Sequence, residues 1–113
     1  MADMHLPRPS RELAELRHSL APAQEEAFRA FSKAVFAEGA LDKRTKQLIA
    51  VAVAHVTQCP WCIEGHVKGA RREGASREQI MEAIWVAAEM RAGASYAHSL
   101  ETLDLFAAED AAK

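Results

Sequence analysis

The sequence contains few of the residues that define several common classes of small protein. Among its 113 residues are two cysteines, four prolines and five glycines, and aromatic residues make up 6%. Two cysteines cannot form the dense disulfide framework of a small secreted protein, so the fold must depend on a hydrophobic core. A chain of this length can bury such a core without crosslinks. We therefore expect a single domain over residues 1–113.

An excess of charge of either sign is also lacking, as are long apolar runs. Lysine and arginine total 14 and aspartate and glutamate 16, so the net charge is −2 and gives no reason to expect nucleic acid or an anionic membrane as partner. The longest uncharged run, 47–63, falls short of the ~20 apolar residues that span a membrane. No N-terminal segment has the apolar centre of a signal peptide. These absences favour a cytoplasmic location, where thiols are normally reduced.

Helix-forming residues dominate what is present. Half of the residues are apolar, and β-branched residues are sparse outside one run, which favours an all-α bundle of five or six helices. The expected helices run from Ser10 to about Leu20, from Pro22 to near Gly39, from Lys43 to about Val56, from Pro60 to about Arg72, from Ser76 to Gly93, and from Ser95 to about Phe106. Gly93 is expected to kink or break the chain. Residues 1–9 are predicted to be an irregular arm and 107–113 a frayed tail.

Two of these helices carry more apolar surface than one small domain can cover. The third helix is apolar in every direction around its axis after Lys46, which predicts burial on all sides. The fifth has a core-facing side, but Met81, Trp85 and Met90 extend its apolar surface around the other side. We take this surplus as an indication of a homo-oligomer.

One stretch, Cys59-Pro60-Trp61-Cys62, followed by His66, carries the chemistry of the chain. Proline is well tolerated at the first position of a helix, so Pro60 predicts a helix that begins just after Cys59. Cys62 then lies in the first turn, and His66 lies one turn later on the same side. The helix dipole, the unpaired N–H groups of the first turn and the imidazole favour the Cys62 thiolate. Cys59 is near enough to form a disulfide with it, so the local pattern indicates a redox dithiol.

Other polar and small residues surround this motif in the sequence. Gln47 and His55 share one i, i+4 row of the third helix, and that row leads toward the cysteines. They either contribute to the site or are core residues with satisfied hydrogen bonds. His98 either reaches the site from the last helix or a neighbouring subunit, or is an ordinary, partly buried histidine.

Two glycines in the middle of the fourth helix, Gly65 and Gly69, also need a reason. Each costs roughly 1 kcal/mol relative to alanine in a helix. The close approach of another helix is one explanation, and the close approach of a substrate is the other.

Four segments together resemble the alkylhydroperoxidase D-like branch of the carboxymuconolactone decarboxylase family. They are 46–55 (KQLIAVAVAH), the pattern Cys59-x-x-Cys62-x-x-x-His66, Ala75-Ser76, and Glu82-Ala83-Ile84. The resemblance covers about 39–98. It implies an all-α fold assembled as a trimer or a trimer of dimers, and a thiol peroxidase reaction without a cofactor. By this resemblance Cys62 is the peroxidatic cysteine, Cys59 the resolving cysteine, and His66 part of a proton relay.

The sequence departs from the family at two positions. The peroxidases carry a glutamate where this chain has Gln47, and a glutamine can orient an imidazole but cannot accept a proton. We therefore expect His55 to join His66 as base. The histidine that some members have between the cysteines is replaced by Pro60-Trp61, and Trp61 suits an organic hydroperoxide. The resemblance also implies a protein dithiol or a dihydrolipoyl carrier as reductant.

Two other interpretations stay open at the level of sequence. His55, Cys59, Cys62 and His66 are ligand types that zinc accepts, although cysteines beside a helix start differ from the tight knuckle of structural zinc sites. The other interpretation is a weakly active or non-catalytic family member, an oligomeric redox-sensitive protein in which Gln47 marks lost activity. Decarboxylation is less expected, because that chemistry does not use a cysteine pair.

Overall fold

The computed structural model describes residues 6–113, which form five α-helices and no β-strand. The helices are α1 (Arg11–Leu20), α2 (Pro22–Phe36), α3 (Lys43–Thr57), α4 (Pro60–Arg72) and α5 (Arg77–Ala112). This confirms the predicted all-α class. Within the same residues, every helix is too short or too polar to cross a lipid bilayer. Of the predicted arm 1–9, residues 6–9 lie outside any helix and 1–5 lie outside the described residues.

The chain divides after Ala37 into two compact units, and the first contains α1 and α2. Ser10 caps α1 by accepting a hydrogen bond from the Leu13 N–H at 3.2 Å, and Pro22 occupies the start of α2. Neither helix buries a residue, and Phe28 and Phe31 are each 65% exposed. Two helices alone are too small to enclose an apolar interior, so the apolar side of this unit stays uncovered within it.

The second unit, which follows Ala37, contains α3, α4 and α5, and two of these helices have well-formed caps. Asp42 caps α3 by accepting a hydrogen bond from the Thr45 N–H at 2.7 Å, and this bond lowers the pKa of the Asp42 carboxyl. Ser76 and Gln79 form the predicted capping box of α5. Each side chain accepts a hydrogen bond from the other residue's backbone N–H, at 3.0 Å and 2.8 Å.

The core of the second unit lies where α3 packs against both α4 and α5. Four buried residues form its centre, and partly buried apolar residues surround them. The buried ones are Val51, Ala70, Ala75 and Ile80, and the surrounding ones are Leu48, Val67 and Ile84. Because small residues form much of this centre, the helix axes can approach closely, which brings polar side chains of α3 within reach of α4.

The prediction that α3 is buried on all sides is wrong for the single chain. Ile49 is 48% exposed and Val53 is 52% exposed, whereas Val51 is completely buried. The reason is geometric, because α4 and α5 cover one side of α3 and leave the other side uncovered.

The prediction of a break at Gly93 is also wrong. Helix α5 continues through Gly93 without interruption and reaches Ala112, so it includes residues 107–112 of the predicted tail. Proline breaks a helix because it lacks a hydrogen-bond donor, whereas glycine keeps the donor and only weakens the helix. The good helix formers on either side of Gly93 offset this loss of helix propensity.

Candidate redox site

A two-residue connection between α3 and α4 sets the position of the cysteines. Gln58 adopts the left-handed conformation, with φ 57° and ψ 45°, and ends α3. The backbone N–H groups of Gln58 and Cys59 both donate to the Ala54 carbonyl oxygen, the Cys59 bond measuring 3.2 Å. The chain therefore reverses out of α3 and enters α4 at Cys59 without an intervening loop.

Cys59 caps the N-terminus of α4, and Cys62 lies in its first turn. The helix begins at Pro60, as predicted, and the Cys62 N–H donates to the Cys59 Sγ at 3.2 Å. A disulfide joins the two cysteines, whose Cα atoms are 5.2 Å apart. Cys62 is exposed and Cys59 is half-buried. Cys62 is thus the more accessible of the two cysteines, while the Cys59 sulfur is held against the helix end.

His66 lies one turn after Cys62 and forms a hydrogen bond with Gln47 of α3. Its Nδ1 lies 2.9 Å from the Gln47 Oε1, and both residues are half-buried. An amide oxygen can only accept a hydrogen bond, so Nδ1 carries the hydrogen and donates it. In the neutral ring the lone pair is then on Nε2, which is the nitrogen able to accept a proton.

Gly69 lies directly beneath the Gln47 side chain. It is buried, and a Cβ atom at this position would lie 2.6 Å from Oε1 and 2.9 Å from Cδ of Gln47. The close approach of a neighbouring helix therefore explains this glycine. A Cβ atom at Gly65 would meet nothing within 4 Å. The sequence singled out both glycines but gave no sign that Gly69 faces Gln47, because that contact depends on how α3 and α4 pack.

His55 is turned toward its own helix. Its Nδ1 donates to the Val51 carbonyl oxygen at 2.8 Å, so its neutral ring also has its lone pair on Nε2. Among the described residues, no hydrogen bond links His55 to either cysteine or to His66. The structure therefore brings together Cys59 with Cys62 and Gln47 with His66. His55 lies in the last turn of α3, two residues before Thr57.

The remaining histidine considered from the sequence, His98, lies in the second half of α5. It is exposed, and its Nδ1 is 3.5 Å from a Glu101 carboxylate oxygen. No group of three His, Cys, Asp or Glu side chains within residues 6–113 is arranged to hold a metal ion. His55, Cys59, Cys62 and His66 therefore do not form such a group in this structure.

Comparisons with known proteins agree with the fold. A model of the carboxymuconolactone decarboxylase family matches residues 22–104. The chain is 72% identical over 103 residues to "uncharacterized protein 4 in cox locus" of Paracoccus denitrificans, an alignment that covers 91% of this chain and 92% of the relative.

Solved structures of the same family share the fold. The apo form of a family protein from Legionella pneumophila matches with a TM-score of 0.66 and 36% identity, covering 82% of each chain. A family protein from Thermotoga maritima, for which a part in the antioxidative response has been suggested, matches with a TM-score of 0.55 and 27% identity over 73% of this chain and 94% of its own. The chain thus belongs to the carboxymuconolactone decarboxylase family.

Proposed function

We propose that the protein is a thiol-dependent peroxidase that reduces peroxides through the Cys59–Cys62 pair. The observation that carries the proposal is the disulfide at the N-terminus of α4, with Cys62 exposed and Cys59 half-buried. This disulfide is the product expected when a peroxidatic cysteine is oxidised and a second thiol resolves it. The suggested antioxidative role of the Thermotoga maritima protein supports the same class of reaction.

The reaction begins at the Cys62 sulfur. The thiolate attacks the peroxide O–O bond, which breaks, so that one oxygen stays on sulfur as a sulfenic acid and the other leaves as an alcohol or water after taking up a proton. The Cys59 thiol then condenses with the sulfenic acid. The S–S bond forms and water leaves, which completes a two-electron oxidation of the pair.

The surroundings of Cys62 favour its thiolate. The N-terminus of α4 carries roughly half a positive charge from the helix dipole, which stabilises a negative charge on the Cys62 sulfur in the first turn. His66 lies one turn away on the same side, and its neutral ring can take the thiol proton at Nε2. We assign His66 to the proton relay and Gln47 to the orientation of its ring.

The substrate and the reductant are proposed by class. Trp61 lies between the two cysteines in the chain and is 45% exposed, so the first turn of α4 carries an exposed apolar side chain that suits an organic hydroperoxide. A protein dithiol or a dihydrolipoyl carrier is the proposed reductant. Its thiolate attacks the disulfide to give a mixed disulfide, its second thiol releases the protein, and two electrons return to the cysteines.

The test is to follow peroxide consumption and thiol oxidation by stopped flow in cysteine variants. We expect Cys62→Ser to abolish peroxide consumption. Cys59→Ser should consume one equivalent and then accumulate a sulfenic acid that a carbon nucleophile traps. Undiminished consumption in Cys62→Ser would exclude the mechanism, and a single oxidation without turnover when dithiols are supplied would favour the redox-sensitive, non-catalytic alternative.

The two histidines near the motif can be separated in the same assay. We expect His66→Ala to lower the second-order rate with peroxide by about a hundredfold, since a positioned acid–base group contributes on that order or more. His55→Ala tests the hypothesis that His55 compensates for Gln47. An unchanged rate in His55→Ala would limit the relay to His66 and reject that hypothesis.

A further inference from the structure

We propose that Gly69 is a positioning residue of the redox site. Because Gly69 has no side chain, the Gln47 amide can lie against α4 and hold His66 in the tautomer that carries hydrogen on Nδ1. The consequence for catalysis rests on the proposed peroxidase function. The positioning itself does not, because it concerns the protonated nitrogen of one ring.

The steric evidence is direct. Gly69 is buried, and a Cβ atom there would lie 2.6 Å from Oε1, 2.9 Å from Cδ and 3.3 Å from Nε2 of Gln47. Cβ atoms essentially never approach other heavy atoms to less than 3.0 Å. Any larger residue at position 69 therefore has to displace the amide that bonds to His66.

The atoms that have to move belong to a flexible side chain. The contacts of the added Cβ are with the terminal amide of Gln47, and its three nearest atoms include no backbone atom. Rotation about the side-chain bonds of Gln47 relieves the clash while α3 and α4 keep their packing. Alanine also has a higher helix propensity than glycine, so Gly69→Ala should retain the fold while separating Gln47 from His66.

The separation matters because the amide selects between two neutral forms of the imidazole. The Gln47 oxygen accepts from Nδ1 at 2.9 Å, which leaves the lone pair on Nε2. Without this acceptor the ring loses the hydrogen bond that favours the form with hydrogen on Nδ1. The form with hydrogen on Nε2 presents a donor where the proposed reaction needs a base, so the fraction of protein ready to deprotonate Cys62 falls.

A matched control lies in the same helix. Gly65 lies one turn before Gly69, and a Cβ atom there would meet nothing within 4 Å. The change Gly65→Ala therefore makes the same gain in helix propensity without touching the Gln47 amide. It separates an effect of the amide from a general effect of adding a methyl group to α4.

The experiment is long-range ¹H–¹⁵N correlation NMR of histidine-labelled protein, at a pH high enough for the ring to be neutral. The wild type and Gly65→Ala should show His66 with hydrogen on Nδ1. Gly69→Ala and Gln47→Ala should both shift the ring to a mixture of tautomers. The double variant should equal Gln47→Ala, since the effect of alanine at 69 passes through the amide. A His66 that keeps the wild-type tautomer in Gly69→Ala, or in Gln47→Ala should the first variant not fold, would overturn the proposal.

Peroxide kinetics on the same five proteins distinguish this proposal from the proposed function. If the peroxidase assignment holds, Gly69→Ala and Gln47→Ala should lower the rate of Cys62 oxidation by a common factor of about ten, and the double variant should lose no more. If no protein consumes peroxide while the tautomer still shifts, the peroxidase assignment fails and the positioning role stands.

Discussion

Gln58 is the described residue whose backbone conformation is least suited to its type. Its φ of 57° lies in the left-handed region, which costs a residue with a Cβ atom about 1–2 kcal/mol. Glycine is the usual residue at such a helix end. The conformation is nevertheless required here, because it lets Cys59 leave α3 and cap α4 within two residues.

We predict that Gln58→Gly raises the free energy of unfolding by about 0.5–1 kcal/mol. Relief of the left-handed strain exceeds the entropy that glycine adds to the unfolded chain.

Gly74 provides the opposite case. Its φ is 89°, and a Cβ atom added there would meet nothing within 4 Å, so Gly74→Ala should destabilise by about 1–2 kcal/mol through the backbone alone. Denaturant midpoints of the oxidised proteins measure both changes, and a loss of stability in Gln58→Gly would contradict the assignment of strain.

Many features of the redox site were predictable residue by residue, because they depend on neighbours in the sequence. Pro60 and Cys59 mark a helix start in any sequence, and the spacing from Cys62 to His66 places them on one side of a helix. The contact of Gln47 with Gly69 was not predictable in this way. It depends on the distance between two helices, which no spacing along the chain encodes.

Helix α5 shows how far a long helix tolerates a glycine. Gly93 lies within its 36 residues, and the helix continues on both sides. The sequence predicts a break there because glycine is the usual stop signal, yet stop signals are reliable only where a cap and a change of periodicity accompany them. Around Gly93 the flanking residues are good helix formers, and the apolar spacing continues through it.

We predict that Gly93→Ala stabilises the protein by about 0.5–1 kcal/mol, the usual difference between glycine and alanine within a helix. The added Cβ atom would lie 3.6 Å from a Glu89 carboxylate oxygen, an ordinary contact that requires no movement. The thermal midpoint of the helical circular dichroism signal measures the change. A lower midpoint would mean that another part of the assembled protein packs closely against this glycine.

The same helix has two apolar sides. Ile80 and Ala87 are buried on the side that faces the core. A second apolar row recurs at intervals of three, four or seven residues on a different side, consistent with 3.6 residues per turn. Its exposed members are Met81, Trp85, Ala88, Ala92, Tyr96, Leu103 and Phe106. The structure thus distinguishes the core-facing side of α5 from a second, exposed apolar side. The sequence indicated only that the helix has more apolar surface than one small domain can cover.

In the molecule as a whole, the core is small for the number of apolar residues in the chain. Half of the residues are apolar, yet the fully buried apolar residues within 6–113 are few and mostly small. The uncovered side of α3 and the second apolar row of α5 are long surfaces of the kind that subunits bury against each other. They support the prediction of a homo-oligomer, which was based on the surplus of apolar surface on these two helices.

We therefore predict that the protein has a solution mass several times its chain mass of 12.4 kDa, with three or six copies as the expected numbers. Trp85 is 68% exposed in the single chain, and Trp85→Glu should produce smaller species, because an interface that buries the row would have to bury an unpaired carboxylate. Light scattering during size-exclusion chromatography measures the mass. Glu101→Lys, an exposed change on the same helix off that row, serves as the control and should keep the wild-type mass. A monomeric wild type, or an unaltered mass in Trp85→Glu, would show that this row is not an interface.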